Sequence, residues 1–243
     1  MTTSADGAAR VVQITDTHLS VQRGVPPEWE ALVQWLRRDP PDLIVNTGDI
    51  VYEDPDDGAD RAFARRLHDD LPAPLLVIPG NHDIGFYGEE AERPRRLGAF
   101  RETWGGDRFV SDLAGWRLVG ADAYLLGTAE HDDWLAAAVS VDRPVLVFVH
   151  QPIDDPSDDE WVMPPEPGAA FARATEGADV RLVASGHRHR SRLLDAALWA
   201  PSLTLVGDTE RDDGADARPG FVEFSLTAGG GIRHEVVRLW TTA

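Results

Sequence analysis

Five short runs rich in valine, isoleucine and leucine alternate along the chain with segments of helical periodicity. The runs read RVVQIT, DLIVNT, PLLVIP, VLVFVH and VRLVAS. Short apolar runs separated by helical segments are typical of βαβ units arranged around a buried sheet. This alternation constrains the fold more than any other feature of the sequence, and it predicts an α/β protein.

The helical segments and the end of the chain complete this outline. Apolar residues spaced between Trp29 and Leu36 predict a helix over 27–38 with one face on the sheet. Similar spacing predicts helices in FARRLHDDL and in EHDDWLAAAVS. After residue 190, alternation and an AGGG turn predict antiparallel strands in LLDAALWAPSLTLVGD, GFVEFSL and IRHEVVRL. We therefore expect the chain to change from βα units to a β-meander.

The length and the loops indicate one structural unit. At 243 residues with 42% hydrophobic content, the chain can bury one sizeable core. We expect a single domain over 1–243, with 1–10 as a flexible tail. Three acidic stretches that contain proline or glycine, at 51–60, 152–168 and 207–219, are expected to be surface loops. The second of them is long enough to act as a lid.

Charge and composition exclude several classes of protein. No apolar run approaches the roughly 18 to 20 residues that span a bilayer, so we expect a cytoplasmic protein without a membrane partner. The absence of cysteine excludes disulfides and thiolate ligands, which leaves His, Asp, Glu, Asn or water for any metal. A net charge of −19 opposes contact with phosphate backbones, so no nucleic-acid polymer is expected as a partner.

Each apolar run is followed within a few residues by groups that ligate hard or borderline cations, and five of the eight histidines stand there. Taken singly, Asp-x-His, Gly-Asp and His150 are each more typical of a cap, a turn or a buried structural histidine than of a metal ligand, and GHRH is equally typical of either. Because loops at the carboxyl ends of strands converge on one side of an α/β sheet, we expect these side chains to meet in one cleft. One metal centre would explain all of them together. In chain order they are Asp16, His18, Asp49, Asn81, His82, His150, His187 and His189.

The blocks DTH, GD, GNHD, HQP and GHRH, in this order between about residues 11 and 190, resemble the calcineurin-like metallophosphoesterases. Within that family, the short chain, HQP and the later APS are most similar to the bacterial class III cyclic-nucleotide phosphodiesterase branch. The resemblance implies a four-layer α/β/β/α sandwich, in which two mixed β-sheets are flanked by helices.

The resemblance also implies a dinuclear metal centre. Two divalent or trivalent ions need an anionic bridging ligand to offset their repulsion, and a mixed nitrogen and oxygen shell suits Mn, Fe or Zn. Asp49 would bridge the two ions. The first ion would be held by Asp16, His18, Asp49 and His189, and the second by Asp49, Asn81, His150 and His187.

The remaining residues of the GNHD block would serve catalysis. Gly80 would let the backbone turn sharply beneath the metals. By resemblance, His82 stays off the metals, where it would donate a proton to the departing oxygen or stabilise charge on the phosphoryl group. Asp83 would orient the ring of His82 and keep it charged. A water activated by the two ions would attack phosphorus in line, without a covalent enzyme intermediate.

The expected function is metal-dependent hydrolysis of a small phosphodiester such as a cyclic nucleotide. A phosphomonoesterase with the same centre remains open, as does a catalytically silent protein-binding scaffold, although all seven ligand positions and His82 are present. The acidic loop that follows His150 would form a negative rim that disfavours highly charged substrates, with Trp161 and Met163 against the substrate's base or acyl portion. The other three histidines, at 68, 131 and 234, are expected to be surface or structural residues.

Overall fold

Eleven strands occur within the residues that the computed structural model describes, namely 8–52, 54–153, 155–157, 161–204 and 216–238. All five apolar runs form strands, which confirms that part of the prediction. In chain order the strands are β1 (Ala9–Ile14), β2 (Leu43–Asn46), β3 (Leu75–Val77), β4 (Phe109–Leu113), β5 (Trp116–Gly120), β6 (Val145–Phe148), β7 (Val180–Ser185), β8 (Arg192–Leu194), β9 (Ala197–Trp199), β10 (Phe221–Leu226) and β11 (Ile232–Val237).

The strands form two mixed sheets. The smaller sheet has the order β11-β10-β1-β2-β3, and the larger has the order β4-β5-β6-β7-β9-β8. Strands β1, β2 and β3 are mutually parallel, and so are β5, β6, β7 and β9, while the other strands run antiparallel to their neighbours. The carboxyl ends of the parallel strands are level, since Asn46 pairs in register with both Ile14 and Val77.

The expected meander after residue 190 is only half right. The pairs β8–β9 and β10–β11 are antiparallel, as predicted, but they belong to different sheets. Between the two pairs the chain crosses to the smaller sheet, where the amide of Leu203 donates to the carbonyl of Thr15 at 3.0 Å. Alternation marks each strand correctly but carries no information about which sheet the strand joins.

Strand β6 shows why the sheets stack into layers. Val145 and Val147 pack with residues of the flanking helices, such as Leu135, whereas Phe148 packs in a second core between the sheets. The ring centroid of Phe148 lies 6.0 Å from that of Phe224 on the opposite sheet. Because side chains alternate between the two faces of a strand, a continuous apolar run contributes side chains to both cores. The result is the predicted α/β/β/α sandwich.

Six α-helices lie within the described ranges, and none of them is long and apolar enough to cross a membrane. The first begins and ends where its periodicity predicts, and the other two predicted helices are also present. The sequence reading missed three helices and the β4–β5 hairpin: one helix has four residues, one is weakly amphipathic, and one begins inside the proline-containing stretch that was expected to be a loop. The helices are α1 (Pro27–Arg38), α2 (Gly58–Asp69), α3 (Asn81–Ile84), α4 (Arg93–Trp104), α5 (Ala129–Val139) and α6 (Pro165–Ala174).

Several expected loops are shorter than the composition suggests. Strand β1 begins at Ala9, inside the segment expected to be a tail, and residues 1–7 lie outside the described residues. Helix α2 begins inside the first acidic stretch, where the carboxylate of Asp57 accepts the amide of Ala59 at 2.7 Å. Helix α6 begins inside the second stretch, because a proline is favoured at the first position of a helix. Most of the third stretch, 207–215, lies outside the described residues.

We predict that Phe224→Ala lowers the free energy of unfolding by about 3–5 kcal/mol, because it empties part of the fully buried core between the sheets. Urea denaturation measures the change. Leu193→Ala on β8 is the control, since that side chain is 52% exposed and its removal should change stability by less than about 0.5 kcal/mol. Similar small losses for both variants would contradict this assignment of the inter-sheet core.

Candidate metal centre

All seven predicted ligand residues are buried at the carboxyl ends of the parallel strands, where loops from both sheets meet. The loops after β1, β2 and β3 come from the smaller sheet, and the loops after β6 and β7 come from the larger one. The structure therefore brings together in one place the residues that the sequence distributes over 174 positions, from Asp16 to His189.

The first group consists of Asp16, His18, Asp49 and His189, whose ligating atoms all lie within 4.8 Å of one another. The Nε2 atom of His189 is 3.2 Å from the Nε2 atom of His18 and 3.2 Å from a carboxylate oxygen of Asp16. Four buried donor atoms at this spacing can converge on a single cation.

The second group consists of Asp49, His150 and His187, again with ligating atoms within 4.8 Å of one another. The Nε2 atom of His150 lies 3.4 Å from Oδ1 of Asp49 and 3.1 Å from Oδ1 of Asn81. The amide oxygen of Asn81 is thus a neutral member of this group. Asp49 is the carboxylate that the two groups share.

Unsatisfied polar atoms test whether this donor set fits metal ions. Nε2 of His187 is buried and lacks a hydrogen-bond partner among the described residues, and the buried Oδ1 of Asp16 has only the ion-pair contact with Nε2 of His189 at 3.2 Å. A buried polar atom without a partner is destabilising by about 1–3 kcal/mol, and cations at the two groups would satisfy both atoms. Imidazole and carboxylate donors together suit Mn, Fe or Zn. The residues therefore fit two ions that share Asp49.

The backbone of the site is strained. Asp16, His18, Asp49, His187 and His189 have φ angles between 44° and 68°, and they are five of the seven non-glycine residues with positive φ in the described ranges. Each such conformation costs of order 1–3 kcal/mol and persists only where the surroundings fix it. Hydrogen bonds between the first two loops supply part of that restraint, since the amide of His18 donates to the carbonyl of Asp49 at 3.0 Å.

The glycine of the GNHD block allows its backbone to lie directly against the side chain of Asp49. Gly80 has a φ of −108°, which other residues also adopt, so the sharp turn expected from the sequence does not explain the glycine. A Cβ atom at this position would instead lie 2.2 Å from Oδ1 of Asp49. Gly186 is required for the same reason, since its Cβ would lie 2.0 Å from the hydroxyl of Thr15. Both glycines let a loop pass directly against the ligand carboxylates.

Two contacts beyond the ligand residues fix their orientation. Nδ1 of His150 is 2.9 Å from the carbonyl oxygen of Thr47, which places the ring proton there and leaves Nε2 free to ligate. The hydroxyl of Tyr124 donates to Oδ1 of Asn81 at 3.0 Å. The sequence reading missed Tyr124 because it follows the unpredicted β4–β5 hairpin and carries no motif.

His82 faces the cleft, whereas Asp83 is buried against the backbone. The Nε2 atom of His82 is 4.0 Å from Asp49, and its side chain is 27% exposed, so the ring faces the cleft beside the two groups. The expected contact between Asp83 and this ring is absent from the described structure. The carboxylate of Asp83 instead accepts the amides of Gly80 at 2.9 Å and Ile50 at 3.2 Å. Because helix α3 begins at position 81, adjacent side chains point in different directions, and Asp83 caps the helix start.

The pKa values of most of the buried ligand residues favour the protonation states that bind metal ions, namely an ionised carboxylate and a neutral imidazole. Burial opposes ionisation of Asp49, but the histidines around it, His150 foremost, hold its pKa well below the usual value. Burial lowers the pKa of His18 and of His187 to about 3, so both rings are neutral near pH 7. Burial also opposes a charge on His150, yet Asp49 raises the pKa of His150 to about 9. A cation at the second group would therefore displace one proton from His150 on binding.

A cavity of about 460 Å³ opens beside the two groups and is lined in part by His82, Gln151 and Trp161. Trp161 thus lines the cleft as expected, but Met163 is buried in the core and is unable to contact a substrate there. Asp155 also departs from the expected negative rim, because its side chain is buried in an ion pair with Arg188. Of the other acidic residues of the expected rim, those at 154 and 158–160 lie outside the described residues, and Glu166 is exposed in the first turn of helix α6.

The other histidines are structural, as expected. His68 is buried, with Nδ1 at 2.8 Å from the carbonyl of Ala64 and Nε2 at 2.9 Å from the amide of Asn46. His131 is also buried, and His234 is half-buried on β11. None of these three belongs to the two ligand groups.

Comparisons with known proteins agree with the geometry. The family model for calcineurin-like phosphoesterases matches residues 9–191. The 3',5'-cyclic adenosine monophosphate phosphodiesterase CpdA of Pseudomonas aeruginosa is 30% identical over 212 residues, covering 78% of this chain and 72% of CpdA. The DNA double-strand break repair protein Mre11 of Haloferax volcanii is 29% identical over 234 residues, covering 90% of this chain and 50% of Mre11.

Among solved structures, the purple acid phosphatase PPD1 from yellow lupin (Lupinus luteus) has a TM-score of 0.69 and 13% identity. The match covers 96% of this chain and 52% of the lupin protein, so the chain spans about half the length of that phosphatase. At this identity the likeness shows the fold alone.

We predict that Asp49→Asn loses both ions together, because the neutral side chain no longer offsets the repulsion between two cations. Elemental analysis after dialysis should find two metals per chain in the wild type and neither in the variant. Asp133→Asn, which changes an exposed aspartate on α5, is the control and should keep both metals. Two tightly bound metals in an active Asp49→Asn protein would contradict the shared-ligand assignment.

Proposed function

We propose, since this chain belongs to the calcineurin-like phosphoesterase family, that it hydrolyses small phosphodiesters such as cyclic nucleotides. Family membership and the CpdA relative make the chain a metal-dependent phosphoesterase, which is a hydrolase. The observation that carries the proposal is the carboxylate of Asp49, shared by two groups of buried ligand atoms at the edge of a cavity. The description of CpdA as a cyclic-AMP phosphodiesterase supports a diester as the substrate.

The seven buried residues would hold two metal ions. When bound, the ions would polarise the phosphoryl oxygens and lower the pKa of a water for in-line attack on phosphorus. The protein's part is to fix the donor atoms before substrate arrives, through the strained loops and the supporting contacts of Thr47 and Tyr124. The first ion would lie among Asp16, His18, Asp49 and His189, and the second among Asp49, Asn81, His150 and His187.

His82 would act on the substrate and not on the metals. Its ring is partly exposed to the cavity, and its backbone amide donates to Oδ1 of Asp49 at 2.9 Å. That hydrogen bond fixes the backbone of His82 beside the shared carboxylate, and its Nε2 atom lies 4.0 Å from the same carboxylate, where it would reach a phosphoester held at the centre. From this position His82 would donate a proton to the departing oxygen.

Asp83 would serve as a positioning residue. Its carboxylate links the loop that follows Asp49 to the start of helix α3, through the amides of Ile50, Val51 and Gly80. Helix α3 in turn carries Asn81 and His82. One buried carboxylate thereby fixes the shared ligand, a neutral ligand and the proton donor relative to one another.

The overall charge supports a small substrate. A net charge of −19 repels polyanions, while a diester with a single negative charge is repelled least. The Mre11 relative is described as a DNA repair protein, but this chain spans only half of its length. A protein-binding scaffold without activity is disfavoured, because such a role needs none of the ligand residues and all of them are present and assembled.

We predict a higher kcat/KM for cyclic mononucleotides than for nucleoside triphosphates or single-stranded DNA. The experiment uses the full chain reconstituted with Mn²⁺ and compares these substrates with phosphomonoesters at low and high salt. Because screening weakens repulsion between charges, the disadvantage of the triphosphate should shrink as salt is added. Faster hydrolysis of DNA, triphosphates or monoesters than of every small diester would overturn the proposed substrate class.

We predict that His82→Ala keeps both metals but loses about 10²- to 10⁴-fold in rate on diesters with an alkoxide leaving group. The loss should be much smaller for a nitrophenolate, which departs without a proton. Elemental analysis and kcat for the two leaving groups measure both effects. His234→Ala, a half-buried histidine on β11, is the control and should behave as the wild type. Equal losses for both leaving groups would exclude the proton-donor role.

A further inference from the structure

Aromatic side chains form part of the cavity wall beside the metal centre. Phe86 lines the cavity and is 51% exposed, so part of its ring is open to a ligand. Trp161 lines the same cavity from the segment that follows His150. The cavity volume of about 460 Å³ lies within the range of sites that bind small organic molecules.

The two aromatic residues stand at the ends of one row of ring contacts. Phe86 packs against His82, with ring centroids 5.7 Å apart, and Trp161 packs against His189 at 5.8 Å. The rings between them are in contact through His18, at 4.8 Å from His82 and 5.1 Å from His189. A phosphoester bound at the centre therefore has an aromatic surface at either end of the row for its organic part.

Gln151 adds a directional group to the same wall. Its side chain is buried, and Nε2 donates to the carbonyl oxygen of Trp161 at 2.8 Å. This bond fixes the amide orientation, because a carbonyl accepts only from the NH₂ end of the side chain. The opposite atom, Oε1, is buried without a hydrogen-bond partner in the described part of the chain. A ligand that brings an N–H or O–H donor into the cavity would satisfy it.

We propose that Phe86, Trp161 and Gln151 form a subsite for a nucleobase-containing organic group of the substrate. A nucleobase is planar, so it stacks on an aromatic ring, and a nucleoside carries the donors that Oε1 of Gln151 requires. Glycerol or choline esters offer no flat ring for Phe86 or Trp161. The subsite rests on the proposed function, since it takes the organic part of the same phosphoester.

The test compares two ligands that differ only in the base. These are the methylenephosphonate analogues of adenosine 5'-monophosphate and of ribose 5-phosphate, in which a carbon replaces the ester oxygen and prevents hydrolysis. Isothermal titration calorimetry on the Mn²⁺-reconstituted full chain gives both dissociation constants. The adenosine analogue should bind at least about tenfold more tightly, which is within the range of one base–aromatic stack.

Variants of Trp161 separate stacking from simple apolar bulk. Trp161→Leu should reduce the preference for the adenosine analogue about tenfold, while Trp161→Phe should retain most of it, because only the phenyl ring can stack. Neither change should alter metal content or the affinity for the ribose analogue. Phe86→Leu should act in the same direction as Trp161→Leu. Equal weakening of both ligands in the leucine variants would show that these rings only support the metal centre, and would overturn the subsite.

Gln151→Leu tests the buried acceptor. Gln151→Leu should weaken binding of the adenosine analogue alone if the donor lies on the base. It should weaken binding of both analogues if the donor is a sugar hydroxyl. An unchanged affinity for both ligands would remove Gln151 from the subsite.

The outcome for the subsite is separable from the outcome for the proposed function. Diester hydrolysis without any preference for the base would leave the function standing and overturn the subsite. A clear preference for the base in a protein that hydrolyses only monoesters would support the subsite and overturn the diester assignment.

Discussion

The buried carboxylate of Asp49 is the interaction on which the rest of the site depends. It is 1% exposed, stands 3.4 Å from His150, and belongs to both groups of ligand atoms. Its neighbours are arranged around it: Gly80 lacks a side chain because a Cβ would collide with this carboxylate, and the amide of His82 donates to it. The carboxylate of Asp49 thus brings three loops into contact, namely those that follow the parallel strands β2, β3 and β6.

Folding such a site without bound cations is energetically unfavourable. Two carboxylates and four histidines are held together in the interior, and five of these six residues have a left-handed backbone. Burial keeps the rings of His18 and His187 neutral, which removes the repulsion between two charged rings. Nε2 of His187 then has no hydrogen-bond partner among the described residues. The cores on both faces of the sheets must supply the stability that offsets this strain. Metal binding and the geometry of the site are therefore coupled.

The sequence predicted the parts of the site that depend on local chemistry. Polar ligand residues directly after apolar runs identify strand ends, and the parallel arrangement brings those ends together. Contacts that depend on distant segments were missed. Tyr124 follows a hairpin without a motif, and the partner of Asp83 is set by the start of a four-residue helix. Trp161 and Met163 are two positions apart in an irregular segment, yet one lines the cavity and the other joins the core.

A buried ion pair joins the two segments that follow β6 and β7. Arg188 stands between His187 and His189, and its guanidinium pairs with Asp155, on the segment that follows His150; the two side chains are 5% and 1% exposed. Breaking such a pair leaves an uncompensated buried charge, so the two segments behave as one unit. Trp161 extends the same segment and packs on His187, with ring centroids 5.3 Å apart. A substrate group stacked on Trp161 would therefore rest on a ring that already contacts the proposed metal ligand His187, so the proposed subsite and the proposed metal centre share one packed wall.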